Sequence, residues 1–306
     1  MTTQSSVNPW TDDENARYLR LRMKTFWNID YFEKIVLPLM DLPNNGQILD
    51  VGCGNGGISL LLAEQRPDLR ITGIDFEQKS IEDASSYAER NGFKNLKFEQ
   101  GDAHQLHFDD GVFDGVVCQT VLTHVRDAQT VVKEMARVLK PGGVFFAAEY
   151  TESGAISDYD NIQFTKRDEA WHREYYRISQ MFAKGKQSLD RGDNQVGMRV
   201  PLLATHAGLD VYDMRLNDRA LHVIPPYRHE KQRNYLELEK AANAQDTDDK
   251  WLKLITELII AGGGTEDDGR WYYNAIDSAG IVQAIDEGSY LATGSYTLYL
   301  TFAKKP

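Results

Sequence analysis

Hydrophobic positions along the chain change period in a regular order. A short apolar run from Ile48 to Val51 is followed by Gly52, Gly54, Gly56 and Gly57. Ile58, Leu61 and Leu62 then fall at helical spacing. Strand, glycine turn and helix in that order open a nucleotide-binding α/β unit. Further strand-like runs lie at Arg70 to Ile74, Leu96 to Gln100, Phe113 to Gln119 and Val144 to Tyr150. Helical patterns separate them at Ser80 to Asn91 and Ala128 to Leu139. Alternation of this kind predicts a parallel sheet with crossover helices.

The flanks are less regular. Thr11 and Glu14 form a candidate capping box for a helix reaching about Trp27. Asp30 is a candidate cap for a second helix, with Phe32, Ile35, Val36, Leu39 and Met40 on one face and Pro38 disturbing its end. Beyond Tyr150, the residues Trp171, Tyr175, Ile178 and Phe182 mark a helix, and Pro201 to Ala207 a shorter one. Asp210 to Asn217 alternates as a sixth strand. Residues 229–286 read as helical and aromatic, broken at Gly262 to Gly264. Tyr296, Leu298, Leu300 and Phe302 alternate in a last strand.

The chain has 306 residues, enough for one elaborated domain or two. Its net charge of −12, with no run of Lys or Arg, argues against a nucleic-acid substrate held by its phosphates. Two cysteines, Cys53 and Cys118, argue against a disulfide scaffold, and both fall in expected core elements. No apolar run approaches membrane-spanning length and no signal sequence opens the chain, so a cytoplasmic location is expected.

The glycine turn reads Gly-x-Gly-x-Gly-Gly after Leu49-Asp50-Val51. A dinucleotide turn reads Gly-x-Gly-x-x-Gly and leaves room for a pyrophosphate. Asp75 lies at the carboxyl end of the second strand, where a carboxylate can accept from both ribose hydroxyls. Phe76 beside it could pack on an adenine face. Gly101-Asp102-Ala103 ends the third strand, where Asp102 can accept from an adenine amino group and the Ala103 N–H can donate to a ring nitrogen. Upstream, Tyr18 and Arg22 are one helical turn apart and could face the same cleft. His104 and His107 have no third ligand near them in sequence, so no metal is expected.

This constellation resembles the class I S-adenosylmethionine (SAM) methyltransferases. The resemblance covers about Ile48 to Tyr150 and resumes weakly at the C-terminus. It includes Phe113-Asp114 at the start of the fourth strand, His124-Val125 before the next helix, and Leu139-Lys140-Pro141-Gly142-Gly143 before the fifth strand. Within the family it looks most like the small-molecule enzymes of the ubiquinone/menaquinone-biosynthesis type. It implies an α/β fold: a Rossmann-like, doubly wound, mostly parallel seven-stranded sheet with an antiparallel last strand. Here the long segment before that strand departs from the family's near-hairpin and suggests helical lid insertions. The expected division is cover helices and SAM-binding core at 1–150 and a helical cover segment at 151–195. The sixth strand follows at 196–224, a helical lid at 225–290 and the last core strand at 291–306.

The implied reaction moves a methyl group from SAM to a small-molecule acceptor by in-line displacement, leaving S-adenosylhomocysteine. Expected cofactor contacts are Tyr18, Arg22, Asp50, Gly52, Gly54, Asp75, Phe76, Asp102, Ala103 and Gln119. Candidates for work on the acceptor are His124 as a base and Glu149 as a base or cation partner. Lid aromatics such as Trp171, Tyr175, Trp251, Trp271 and Tyr272 could line an apolar pocket or favour a cation. Partners are expected to be the acceptor and, at most, a second copy of the chain, without nucleic acid or membrane. An NAD(P)-dependent oxidoreductase, which Asp75 alone would permit, and a non-catalytic SAM-binding partner of another methyltransferase are the alternatives.

Overall fold

A computed structural model describes residues 26–151, 159–243, 249–295 and 297–306. The expected Tyr18–Arg22 pair, and most of the helix that carries it, lie outside the described residues.

Helix α1 (29–40) opens at Asn28 rather than Asp30. Phe32, Val36 and Met40 are buried, and Ile35 is exposed. Its middle turn, Phe32–Val36, is wound as a π-helix. Pro38 has no N–H for the Lys34 carbonyl and crowds it, and the wider turn relieves that clash.

The alternating core follows: β1 (Gln47–Val51), α2 (Gly57–Gln65), β2 (Arg70–Asp75), α3 (Gln78–Arg90), β3 (Leu96–Gln100), β4 (Phe113–Gln119), α4 (Ala128–Val138) and β5 (Leu139–Tyr150). The fifth strand is longer than its apolar pattern. Leu139 pairs with Phe113 and Val144 with Gly115, so 140–143 bulge out of a strand already begun. Gly142 takes φ +76° there. The cover and the rest of the core comprise β6 (Tyr159–Asp160), α5 (Glu169–Ser188), α6 (Val200–His206), β7 (Asp210–Leu216) and β8 (Ala220–Val223). After them come α7 (Glu230–Ala242), α8 (Lys250–Ala261), α9 (Glu266–Tyr273), α10 (Ser278–Asp286), β9 (Ala292–Ser295) and β10 (Leu298–Lys304).

Seven strands form one sheet in the order β3-β2-β1-β4-β5-β10-β7. All neighbours run parallel except β10, which is antiparallel to β5 and β7. Both faces are covered. Phe32, Val36 and Met40 of α1 join Ile58 and Leu62 of α2 against Ile48, Val117, Phe146 and Phe302. Val132 and Met135 of α4 join Val200 and Ala204 of α6 against Leu49, Val116 and Phe145. The doubly wound, mostly parallel sheet implied by the sequence is therefore present, and α1 packs on one of its faces.

The cover differs from the all-helical expectation. Strands β6, β9 and β8 pair antiparallel into a second, three-stranded sheet. Its face packs Val223, Ala292 and Tyr290 against Leu236 of α7 and Ile281 and Ala284 of α10. The last core strand accordingly begins at Leu298. Residues 220–223, expected beside the sixth strand, leave the main sheet. Strands of two to four residues are too short to print a period.

Helices α5 and α8 approach closely through glycine. A Cβ on Gly185 would lie 1.7 Å from the Leu258 carbonyl oxygen, and one on Gly262 1.8 Å from that of Met181. Among the described residues no helix is long and apolar enough to cross a membrane.

Candidate active site

The carboxyl ends of β1 to β4 meet at the glycine loop. Gly52 adopts φ +69°, and a Cβ there would lie 2.5 Å from Val121 Cγ2. Gly54 adopts φ +51° and faces open space. The Gly54 N–H donates to Asp75 Oδ2 at 2.8 Å. The Glu77 N–H donates to the other oxygen of Asp75 at 2.9 Å. One carboxylate thus ties the glycine loop to the start of α3. Burial raises its pKa, and the two backbone donors pull the other way. Phe76, the next residue, is 69 % exposed.

Asp50 is fully buried in β1. Its Oδ2 accepts from Ser59 Oγ at 2.6 Å, and its Oδ1 has no partner. Burial pushes its carboxyl up to about 7. Asn55, inside the glycine loop, is also buried, and its Nδ2 has no partner. An orphan acceptor and an orphan donor therefore flank one turn. Each such buried group is costly unless something fills the space.

At the end of β3, the exposed Asp102 receives the His104 N–H at 2.8 Å, and the same oxygen lies 2.9 Å from the His104 ring. Ala103 is half-buried against the core. His107 turns instead to Glu99, so the two histidines serve different carboxylates.

At the end of β4, Gln119 is buried and its Oε1 accepts from Trp27 Nε1 at 3.0 Å. The segment before α1 is thereby tied to the carboxyl edge of the sheet. The loop 120–124 that follows is held from two sides. On the core side stands Glu149 of β5, fully buried. It accepts N–H bonds from Val121 at 2.8 Å, Leu122 at 2.9 Å and, more weakly, Thr123 at 3.4 Å. Burial raises its carboxyl to about 7 against these donors. On the cover side Lys186 of α5, also buried, donates from Nζ to the Thr123 carbonyl at 3.2 Å and to Asn194 Oδ1 at 2.6 Å. Gly192 comes so close that a Cβ would lie 2.2 Å from the Thr123 carbonyl oxygen. His124 is exposed on this loop.

Asp50, Gly52, Gly54, Asp75, Phe76, Asp102, Ala103 and Gln119 thus gather at one edge of the sheet, with His124 beside them. Glu149 sits beneath the loop with its oxygens on backbone N–H groups, which is the geometry of a positioning carboxylate. Asn55, Lys186, Gly192 and Asn194 are not singled out by the sequence reading. Asn55 sits within the glycine motif, which was its only signal; the other three have none.

Residues 42–192 match a family model described as a methyltransferase domain. The chain is 39% identical over 123 residues to the sterol 24-C-methyltransferase of Aspergillus fumigatus, covering 40% of this chain and 32% of that protein. It is 34% identical over 122 residues to the demethylmenaquinone methyltransferase of Geobacillus stearothermophilus, covering 40% and 52%. The chain thus spans about a third to a half of the length of the curated relatives it matches. The crystal structure of YcgJ from Bacillus subtilis superposes with a TM-score of 0.52 at 17% identity, covering 90% of this chain and 99% of that one, a likeness of fold. With its glycine loop, strand-end carboxylates and sheet order in one place, the domain at residues 42–192 belongs by family to the class I SAM-dependent methyltransferases.

Proposed function

We propose that the whole chain transfers a methyl group from SAM to a small-molecule acceptor bound between the loop 120–124 and the cover. The pair of buried orphan atoms carries this reading. SAM ends in an amino acid with one cationic and one anionic group. Asp50 Oδ1 suits the ammonium and Asn55 Nδ2 the carboxylate, beside the bare backbone of Gly54. Asp75 takes the ribose hydroxyls, Phe76 covers the adenine, and Asp102 with Ala103 reads its edge. A dinucleotide's pyrophosphate could take Asn55 Nδ2, but it would leave Asp50 Oδ1 facing an anion.

When bound, SAM supplies an activated methyl group on a sulfonium. The chain has to orient the acceptor and exclude water. Glu149 and Lys186 grip the loop 120–124 from opposite sides and set the position of its backbone. Glu149, fully buried beneath the loop with its oxygens on backbone donors, orients the loop rather than meeting the acceptor. His124 remains the candidate base where the acceptor must lose a proton. Residues 169–188 and 250–273 form the acceptor-side cover. The sterol and quinone relatives make an apolar carbon acceptor the first class to try.

Calorimetry with S-adenosylhomocysteine and with NAD tests the cofactor half. Binding of the former at micromolar levels, about −8 kcal/mol, is expected. Binding of NAD alone refutes the reading. Methyl transfer from labelled SAM to a panel of quinones, sterols and small amines tests the rest.

A further inference from the structure

A cavity of about 400 Å³ lies in the cover, between the start of α5, the end of α9 and the start of α10. It is remote from the site described above. Trp171 on its wall and Lys186 at the loop 120–124 are fifteen residues apart on one straight helix, about 22 Å at 1.5 Å per residue. Its volume is within the usual range for a small-molecule site.

The wall has an unusual charge balance for an acidic protein. Lys166, Arg167 and Arg270 line it against one carboxylate, Asp277. Two of these cations are already neutralised. Lys166 pairs with Asp277, and Arg270 with Glu266 and Asp267 on its own helix. Arg167 is not: among the described residues no carboxylate meets it. Its guanidinium lies over the Trp171 ring, 4.8 Å from the centroid, and one Nη donates to Gln163 at 2.7 Å. Its Nε is buried without a hydrogen-bond partner. A cation with an unmet buried N–H, at the wall of an open cavity, lacks an anionic acceptor.

The rest of the wall limits what that anion can be. The Trp171 and Trp271 rings stand 6.1 Å apart between centroids and 43° from parallel. At that distance the two indoles touch, and Trp171 also stacks on Tyr175 at 4.8 Å, so together they present an aromatic apolar wall to the cavity. We propose that this cavity is a second ligand site that takes a planar aromatic carboxylate, its ring against Trp271 on that wall and its carboxylate on Arg167. Occupancy would tie α9 and α10 to the start of α5, whose other end holds the Thr123 carbonyl.

The test uses the full chain saturated with S-adenosylhomocysteine, with 2-naphthoate as probe and its neutral amide, 2-naphthamide, as control, followed by titration calorimetry. One molecule of 2-naphthoate should bind per chain. Binding should weaken by about tenfold or more for the amide and in Arg167→Gln, since each removes the charged partner. Trp271→Ala should weaken it to a similar extent. Lys166→Gln, at an exposed position that tolerates change, should weaken it by a few-fold with a reduced salt dependence. No binding at about 1 mM to folded protein would overturn the proposal. Equal binding of acid and amide, or binding indifferent to Arg167→Gln, would overturn it as well.

Discussion

Replacing Asp75 with alanine should weaken both the empty protein and its cofactor complex, by separable amounts. In the empty protein the carboxylate accepts two backbone hydrogen bonds, from Gly54 and Glu77. Hydrogen bonds to a charged group contribute about 1.5–3 kcal/mol each. Burial opposes them, and it is the largest influence on this carboxyl, raising its pKa. The net loss should therefore fall below the sum, at about 2 kcal/mol. For a chain of this size that lowers Tm by about 3 °C. If the same carboxylate holds the ribose diol, the complex loses a further 1.5–3 kcal/mol or so, about 10- to 150-fold in affinity. Asp75→Asn refines the measurement. Its single oxygen can keep one backbone donor, but its amide N–H₂ faces the other, so the loop is disturbed without a cavity. Differential scanning calorimetry reads the first effect, and titration with S-adenosylhomocysteine reads the second. A lowered Tm with unchanged affinity would confine Asp75 to holding the glycine loop. An unchanged Tm would refute the hydrogen-bond account itself.

Four further outcomes follow from the packing and the titrations. Gly185→Ala should cost about 3 kcal/mol or more in urea unfolding, because its methyl would meet the Leu258 carbonyl at 1.7 Å and force α5 from α8. A loss below about 0.5 kcal/mol would mean that the two helices are not in contact. The buried Glu149 carboxyl sits at about 7 against a usual 4.5. The folded state therefore keeps a proton that the unfolded state sheds, and stability falls as pH rises through that window, by up to about 1.4 kcal/mol per unit. Glu149→Gln should remove its share of this slope, leaving that of Asp50, and still slow methyl transfer by loosening 120–124; an unaltered profile would argue that the group is ionised throughout. At pH about 6.5, where the ligand's amine is already charged, S-adenosylhomocysteine should displace a fraction of a proton from Asp50. Calorimetry in buffers of different ionisation enthalpy measures it, and Asp50→Asn should abolish it. Finally, Trp27→Phe should lower cofactor affinity by a few-fold through loss of the Gln119 bond; unchanged binding would separate that contact from the site.

The parallel core and the glycine loop at the carboxyl edge of its sheet were legible before the structure because their signals are local. Ile48 to Val51 needs only its own period to declare a buried strand. Gly52 and Gly54 declare themselves by the positive φ that the turn demands. Asp75 needs only its place at a strand end. Residues whose roles depend on distant partners carry no such mark. Trp27 and Gln119 are 92 positions apart. Gly185 stands inside a helix, and its reason is the Leu258 carbonyl that lies against it. The three-stranded sheet joins segments from Tyr159 to Ser295, each too short for a period. Glu149 stands at the carboxyl end of its strand, where a catalytic group would also stand. Only the register of β4 and β5 brings the N–H groups of Val121 and Leu122 within 2.9 Å of its carboxylate. A polar side chain's chemistry is written in its residue type, but the donors that consume it are chosen by packing, and those distances exist only once the sheet has closed.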